Sequence, residues 1–179
     1  MTDITASWSN RYFSRLRSVT FTLDYHSPAQ SQRVYIIDKI LSKSPQLLHL
    51  AVRCEDLCLC SCTNTNVKHV ELIISTLFNP SDYIHPHHLY KLFPGICRLE
   101  TSNGYISLNE NLVNFVLEIV NTFHQLVELS LNRKRSVSPR TETQWEVLNA
   151  IFAAHSKRPL NSNTCQIIFP RCNELRMWL

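Results

Sequence analysis

Glycine is nearly absent from this chain of 179 residues, which contains only Gly95 and Gly104. Phosphate-binding loops, dinucleotide fingerprints and the serine nucleophile elbow each need several glycines at short, fixed spacings. Two glycines separated by nine positions supply none of these motifs. Because so many enzyme classes depend on such loops, we expect that the chain is not an enzyme and that it binds no cofactor.

Long apolar segments are also lacking. The longest apolar run is far shorter than the roughly 20 residues that a membrane-spanning helix needs, and the polar tail over residues 1–10 lacks the apolar segment of a signal peptide. The seven cysteines are an odd number, which argues against a full disulfide framework and favours a reducing compartment. We therefore predict a cytoplasmic or nuclear protein with no membrane partner.

The balance of charged and apolar residues is that of a globular protein. The chain is 44% hydrophobic and 18% charged, and its size suits one domain. A net charge of +4 is small and is dispersed along the sequence. Since nucleic-acid binding relies on a concentrated basic surface, we predict no nucleic-acid partner.

One short apolar frame recurs along the chain: an apolar residue, two others, an apolar residue, one other, and a last apolar residue. In the fourth copy this last position is Thr101. It starts at Leu16, Leu47, Val67, Ile96, Leu126 and Cys172, at intervals of 31, 20, 29, 30 and 46 residues. A frame of this kind at a period of 20–50 residues is typical of a leucine-rich-repeat solenoid. The sequence thus predicts an α/β fold, a partial horseshoe with about six parallel strands on its concave side.

The segments between the frames have helical patterns that belong on the convex side. Residues 111–123 form an apolar stripe with helical spacing, preceded by a capping box at Ser107 and Glu110. Further helices are predicted over residues 32–43 and 142–155, and a short one starts at Pro86. Residues 54–66 are too few for a full helix and are expected to turn directly.

Three fragments carry a resemblance to a known family. Residues 44–52, 93–100 and 123–131 resemble the irregular repeats of F-box leucine-rich-repeat proteins. In that family the repeats recruit a substrate, while a separate F-box docks onto the cullin ubiquitin ligase. The resemblance implies that residues 11–179 are a repeat domain and that the chain acts as a substrate-recognition scaffold.

The chain departs from the family in two ways. The positions where regular repeats carry a ladder of asparagines are occupied by other residues, namely Asp24, Glu55, Ser75, Gly104 and Lys134. About ten residues precede the first repeat, too few for an F-box of typical domain size. We expect that no F-box lies in this chain, and that an F-box or capping domain is missing from it.

The candidate binding residues follow from the alternation of side chains along a strand. Polar residues that flank the apolar positions should face outward and contact a partner protein; we select Arg53, His69, Glu71, Arg98, Glu100, Glu128, Asn132 and Arg176. A solvated surface without a partner would carry similar residues. The alternative function is a structural or regulatory assembly module that acts through the open ends of the solenoid, with no role in ubiquitin transfer.

The sequence contains two groups of possible metal ligands. Cysteines alternate over residues 58–62 with Cys54 nearby, and His85, His87 and His88 follow later. Structural zinc sites usually pair cysteines two to four residues apart, and alternate residues of an extended strand share a face without converging. We predict no metal site.

Overall fold

Helices and strands alternate along most of the chain, as expected for an α/β protein. The computed structural model describes residues 13–21, 28–74, 77–78, 84–106, 110–133, 166–168 and 174–179. The strands are β1 (Ser18–Thr20), β2 (His49–Arg53), β3 (His69–Ile73), β4 (Leu77–Phe78), β5 (Arg98–Ile106), β6 (Glu128–Arg133), β7 (Gln166–Ile168) and β8 (Glu174–Trp178). The helices are α1 (Gln30–Lys43), α2 (Cys54–Leu57), α3 (Pro86–Leu92) and α4 (Glu110–Thr122).

The strands form a mostly parallel sheet. Their order is β1-β2-β3-β5-β6-β8-β7, and the short β4 pairs in parallel with the far end of β5. The run from β1 to β6 is parallel and follows the sequence, as the repeated frame predicted. Each parallel connection passes through the segment between two frames, which returns the chain to the same end of the sheet.

The last predicted strand runs in the opposite direction. β8, which contains most of the sixth frame, is antiparallel to both β6 and β7, so the prediction that the sixth frame forms a parallel strand was wrong. The frame encodes which face of a strand is apolar, but this alternation reads the same in either direction. In the antiparallel register Met177 lies opposite Leu129 and is fully buried, so the apolar face is kept although the direction is reversed.

One hydrophobic core joins the helices to one face of the sheet. Leu50, Val70, Leu99 and Leu129 occupy a single register row across four strands, and each is fully buried. Burial of one such side chain contributes about 1.5–3 kcal/mol relative to its exposure. The same core includes apolar residues of the helices, so the described helices pack on one face of the sheet.

The helices follow the predicted apolar spacing where their side chains are described. Ile40 and Leu41 of α1 follow Ile37 by about one helical turn, and all three are buried. Helix α3 begins at Pro86, as predicted. The core of α4 is its stripe of four residues, Phe115, Val116, Ile119 and Val120. The predicted helix over residues 142–155 and the Ser107 cap lie outside the described residues. None of the described helices has the length and hydropathy of a membrane span.

The segment after β2 differs from the prediction of a direct turn. It forms the short helix α2, whose first turn carries Glu55 and Asp56, and acidic groups there interact favourably with the helix dipole. Asp56 is nearly fully buried and accepts two hydrogen bonds of 2.7 Å from the Arg33 guanidinium of α1. This ion pair raises the pKa of Arg33 and joins the two helices.

A buried asparagine connects neighbouring repeats at a position outside the expected ladder. Asn64 donates from its amide nitrogen to the carbonyl oxygens of Leu41, at 2.9 Å, and Ser44, at 3.1 Å. Its backbone N–H donates to the carbonyl of Leu92 at the end of α3. The last carbonyls of a helix have no partner within the helix, so Asn64 satisfies such groups on two helices at once.

Candidate functional site

The strand residues that point away from the core form one surface, which we name the polar face. Its members with described side chains are Ser18, Thr20, His49, Ala51, Arg53, His69, Glu71, Ile73, Arg98, Glu100, Ser102, Glu128, Ser130 and Trp178. In β3 the alternation is complete, because Val70 and Leu72 are buried while the residues on either side of each are partly exposed. Parallel pairing places equivalent positions side by side, and the register between β5 and β6 shifts only beyond Thr101.

The first row of the polar face is polar over its five parallel strands and continues to Trp178, the partner of Glu128 in β8. Ser18, His49, His69, Arg98 and Glu128 are consecutive partners in the registers of five neighbouring strands. The strands are about 4.8 Å apart, so these side chains lie within contact distance of one another. Two positions further along the strands, a second row contains Thr20, Ala51, Glu71, Glu100 and Ser130.

A hydrogen bond and a ring stack connect one end of the first row. The Ser18 hydroxyl and His49 Nδ1 are 2.8 Å apart. The His49 and His69 rings stack with their centroids 4.3 Å apart and an interplanar angle of 28°. The serine and both imidazoles therefore form a continuous contact across β1, β2 and β3.

Ion pairs connect the other end of the row. Glu100 Oε1 is 3.4 Å from His69 Nε2 and also contacts Arg98, whose Nε lies 3.3 Å from Glu128 Oε2. The contact with the His69 imidazole, followed by the charge of Arg98, lowers the pKa of Glu100 to about 2 despite its partial burial. Glu100 is therefore a fixed negative charge at any physiological pH.

Of the eight predicted site residues, four belong to the network of contacts, one lies beside it, one lies at the end of β2, and two are located by register alone. His69, Arg98, Glu100 and Glu128 belong to the connected network, and Glu71 lies in the second row beside Glu100. Arg53 lies at the end of β2, where its Nε is 3.5 Å from Glu55 Oε2.

The remaining two predicted residues are located by strand register alone. Asn132 lies opposite Glu174, and Arg176 lies opposite Ser130, at positions of the same face. That any of the eight residues contacts a partner remains a prediction.

Two members of the network were not selected from the sequence. Ser18 and His49 have the same position in the repeated frame as His69 and Arg98, so the frame alone could have identified them. The selection favoured the middle of the array of strands, whereas Ser18 and His49 belong to its first two strands.

The Ser18–His49 pair invites comparison with a nucleophile and its general base. Catalytic pairs of this kind need a third group that orients the base through its other ring nitrogen. His49 Nε2 is buried and has no hydrogen-bond partner in the described part of the chain. Burial, followed by the charge of His69, lowers the pKa of His49, which makes it a weaker base. The contact is a hydrogen bond that links β1 to β2.

The cysteines near α2 are free thiols in the structure. Cys54 and Cys58 interact by a hydrogen bond that raises the pKa of Cys54 and lowers that of Cys58. Burial raises the pKa of Cys60 to about 12. Across the described ranges, no three histidine, cysteine or acidic side chains converge as a metal site would require.

A shallow cleft of about 550 Å³ lies on the helical side, between α3 and α4. It is lined by His87, Tyr90, Glu118, Asn121, Thr122 and His124. Glu118 Oε1 is 3.3 Å from His85 Nδ1 and 3.8 Å from His87 Nε2, so exposed histidine–carboxylate contacts join α4 to α3 and to the residue before it. Such exposed pairs contribute at most about 1 kcal/mol.

Comparison with known proteins gives no family assignment. No family model matches the chain, and a search of curated proteins finds no significant relative.

Proposed function

We propose that this chain is a protein-interaction domain that binds a partner protein through its polar face. The observation that carries this proposal is the row from Ser18 to Glu128, in which five polar residues from five neighbouring strands share one register. The other face of the same strands is buried in the core beneath the helices. A rigid sheet of this kind holds its polar side chains in fixed positions.

The chemistry of the polar face suits recognition better than catalysis. It combines both signs of charge with imidazole rings, and electrostatic patterns of this kind give interfaces their specificity. The Ser18–His49 pair lacks an orienting group for His49 Nε2 among the described residues. We therefore propose a binding protein that uses neither a catalytic residue nor a cofactor.

We further propose that the chain is an irregular leucine-rich-repeat solenoid with its strands on the concave side. Support comes from parallel strands in sequence order, joined by helical segments and sharing one core. Neighbouring repeats of a solenoid build such a continuous core because one repeat cannot bury its own apolar face. By its resemblance to F-box leucine-rich-repeat proteins, the domain would recognise the substrate of a cytoplasmic or nuclear ubiquitin ligase.

A second candidate is an assembly module that acts through the ends of the sheet. Within the described ranges β1 pairs only with β2, so one side of β1 has no strand beside it. A free strand edge is a template for pairing with another chain. This candidate predicts that the sedimentation coefficient rises with protein concentration, and a constant monomer mass would contradict it.

The test of the main proposal exchanges two charges on the polar face. The double variant Arg98→Glu/Glu100→Lys keeps the net charge constant but reverses both signs beside His69 and Glu128. The matched control exchanges charges on the helical side, as Lys91→Glu/Glu118→Lys. Partners would be captured from extracts of the source cells and quantified by mass spectrometry, with circular dichroism as the check on folding.

We expect the wild type and the helical-side control to retain the same partner, and the polar-face variant to lose it. Retention of the same partner by all three proteins would overturn the placement of the site on the polar face.

A further inference from the structure

Two thiols lie side by side in the short helix that follows β2. Cys54 begins α2 and Cys58 is its C-cap, and the backbone N–H of Cys58 donates to the Cys54 carbonyl over 3.1 Å. Residues four positions apart in a helix lie on the same side of it. The Cys54 thiol donates a hydrogen bond to the Cys58 sulfur. The two residues therefore form one dithiol within a single helical turn.

The two thiols of this pair differ in their access to solvent. Cys54 is 1% exposed, whereas Cys58 is partly exposed and precedes Leu59, which is 58% exposed. The hydrogen bond from Cys54 lowers the pKa of Cys58, and this effect outweighs the opposing effects of burial and of the Glu55 charge. A reagent from solvent therefore meets Cys58 first, and the thiolate, which is the reactive form of cysteine, is favoured there.

The other described cysteines have different surroundings. Cys60 Sγ donates to the Asp56 carbonyl over 3.4 Å, and burial raises the pKa of this thiol to about 12. Burial also raises the pKa of Cys62. Cys97 Sγ donates to the Gly95 carbonyl over 3.6 Å. Among the described cysteines, only the pair in α2 combines a hydrogen bond between two thiols with a lowered pKa of one of them.

We propose that Cys54 and Cys58 are a redox-sensitive modification site, which hydrogen peroxide converts into a disulfide. The partly exposed Cys58 is the sulfur that is attacked first by oxidation, and the buried Cys54 is the thiol that resolves the product. This site lies outside the polar face, so its test does not depend on the proposed function.

The reaction has two steps. The Cys58 thiolate attacks one oxygen of the peroxide, so the O–O bond breaks, an S–O bond forms, and the departing hydroxide takes up a proton and leaves as water. The Cys54 sulfur then attacks the resulting sulfenic acid and forms the S–S bond, while its proton leaves with the hydroxyl group as a second water. The two sulfurs together lose two electrons, which reduce the peroxide.

Oxidation of the pair should change the contacts of α2. The Cβ atoms of helix residues four positions apart are about 5–6 Å apart, whereas a disulfide needs about 3.5–4.5 Å. Because α2 is a single turn of four residues, the required shift disturbs few backbone hydrogen bonds. Asp56 lies within this turn and binds Arg33 of α1. The disulfide therefore transmits oxidation to the junction between α1 and α2.

The test treats the full chain with hydrogen peroxide and maps the state of each thiol. Free thiols are blocked with N-ethylmaleimide, disulfides are reduced with dithiothreitol, and the released thiols are labelled with iodoacetamide before tandem mass spectrometry. Cys60 and Cys62 lie in the same segment and are the internal controls. The chain unfolded in urea and treated in the same way is the control for pairing that depends on closeness in sequence alone.

We expect the iodoacetamide label on Cys54 and Cys58 and N-ethylmaleimide on Cys60 and Cys62, with this selectivity lost in the unfolded chain. Absence of the iodoacetamide label from the α2 pair would overturn the proposal, and so would equal labelling of all four cysteines in the folded chain.

A variant distinguishes the roles of the two thiols. Cys54→Ser keeps a hydrogen-bond donor beside Cys58 but removes the resolving thiol, and circular dichroism checks its folding. A sulfenic acid at Cys58 should therefore accumulate in this variant and be trapped by dimedone. A dimedone adduct on Cys60 or Cys62 in place of Cys58 would overturn the assignment.

The coupling to α1 is tested by urea denaturation of the reduced and the oxidised chain. We expect peroxide to lower the urea midpoint of the wild type, dithiothreitol to restore it, and the midpoint of Cys58→Ser, which retains every other thiol, to stay constant. A disulfide that forms while the midpoint is unchanged or raised would overturn the coupling. An equal shift in Cys58→Ser would assign the effect to another thiol and overturn it as well.

Discussion

Arg33 and Asp56 join α1 to α2, the short helix that follows β2, through two hydrogen bonds of 2.7 Å each. The Asp56 side chain is 1% exposed and that of Arg33 is 17% exposed. This pair is the most deeply buried of the ion pairs in the described ranges. It couples the helical side of the protein to the end of a strand of the polar face.

Removal of one member of this pair should be strongly destabilising. Arg33→Met leaves the Asp56 carboxylate buried without its counter-ion, and we expect a loss of about 3–5 kcal/mol in the free energy of unfolding. The measurement is urea denaturation followed by circular dichroism. The control is Glu55→Ala, which removes a partner of Arg53 at a more exposed site and should cost about 1 kcal/mol or less. Similar losses for both variants would contradict the prediction.

Any substitution of the buried Asn64 should lower the free energy of unfolding. Asn64→Ala leaves the carbonyls of Leu41 and Ser44 without their donor, and we expect a loss of about 1–3 kcal/mol. Asn64→Asp should be at least as damaging, because a carboxylate cannot donate to a carbonyl. The control is Asn66→Ala, since the exposed Asn66 amide makes one hydrogen bond to the Pro45 carbonyl. Equal midpoints of urea unfolding for the Asn64 and Asn66 variants would refute the assignment.

Gly95 lies where no side chain fits. A Cβ atom there would be 2.6 Å from the Thr65 carbonyl oxygen and 2.7 Å from Lys68 Nζ. We expect Gly95→Ala to cost about 1–3 kcal/mol through overpacking, measured as a shift in the thermal midpoint. Lys68→Ala in the same chain should restore little of the loss, because the backbone oxygen cannot move away as a lysine side chain can. Full recovery in the double variant would show that the lysine was the only obstacle.

Stability should fall at acidic pH in a way that depends on Glu100. Its folded-state pKa of about 2 lies below the ordinary value of 4.5, so the contribution is present above pH 4.5 and is lost as the pH falls towards 2. Between pH 4.5 and 2, the free energy of unfolding of the wild type should fall by about 1–2 kcal/mol more than that of Glu100→Gln, after allowance for solvent screening. Urea unfolding at a series of pH values measures this difference. Parallel profiles for wild type and variant would exclude the effect.

The repeated frame predicted the parallel pairing of most strands but not the antiparallel direction of β8. Leu50, Val70, Leu99 and Leu129 share a buried row because identical frames pair in the same register. The direction of β8 is set by its pairing with β6 and β7, which the alternation of apolar residues does not record. The short helix α2 was missed because four residues are too few to show a helical period.

The sequence predicted which residues of the candidate site lie on the same face, but not which of them contact one another. Alternation along the strands placed His69, Glu71, Arg98 and Glu100 on one face without knowledge of the fold. The Ser18 hydrogen bond and the His49–His69 stack needed the register between strands, which joins residues 31 and 20 positions apart in sequence. Asn64 and the Arg33–Asp56 pair were missed because they connect one repeat to another outside the frame.

The constant register has a consequence for how such a protein can vary. The frames begin at intervals of 31, 20, 29 and 30 residues from Leu16 to Leu126, yet the corresponding strand residues remain aligned. Differences in repeat length are therefore confined to the segments that connect one strand to the next. Insertions and deletions there can reshape the helical side while the arrangement of polar groups on the strands is conserved, so the two sides of the protein are free to diverge independently.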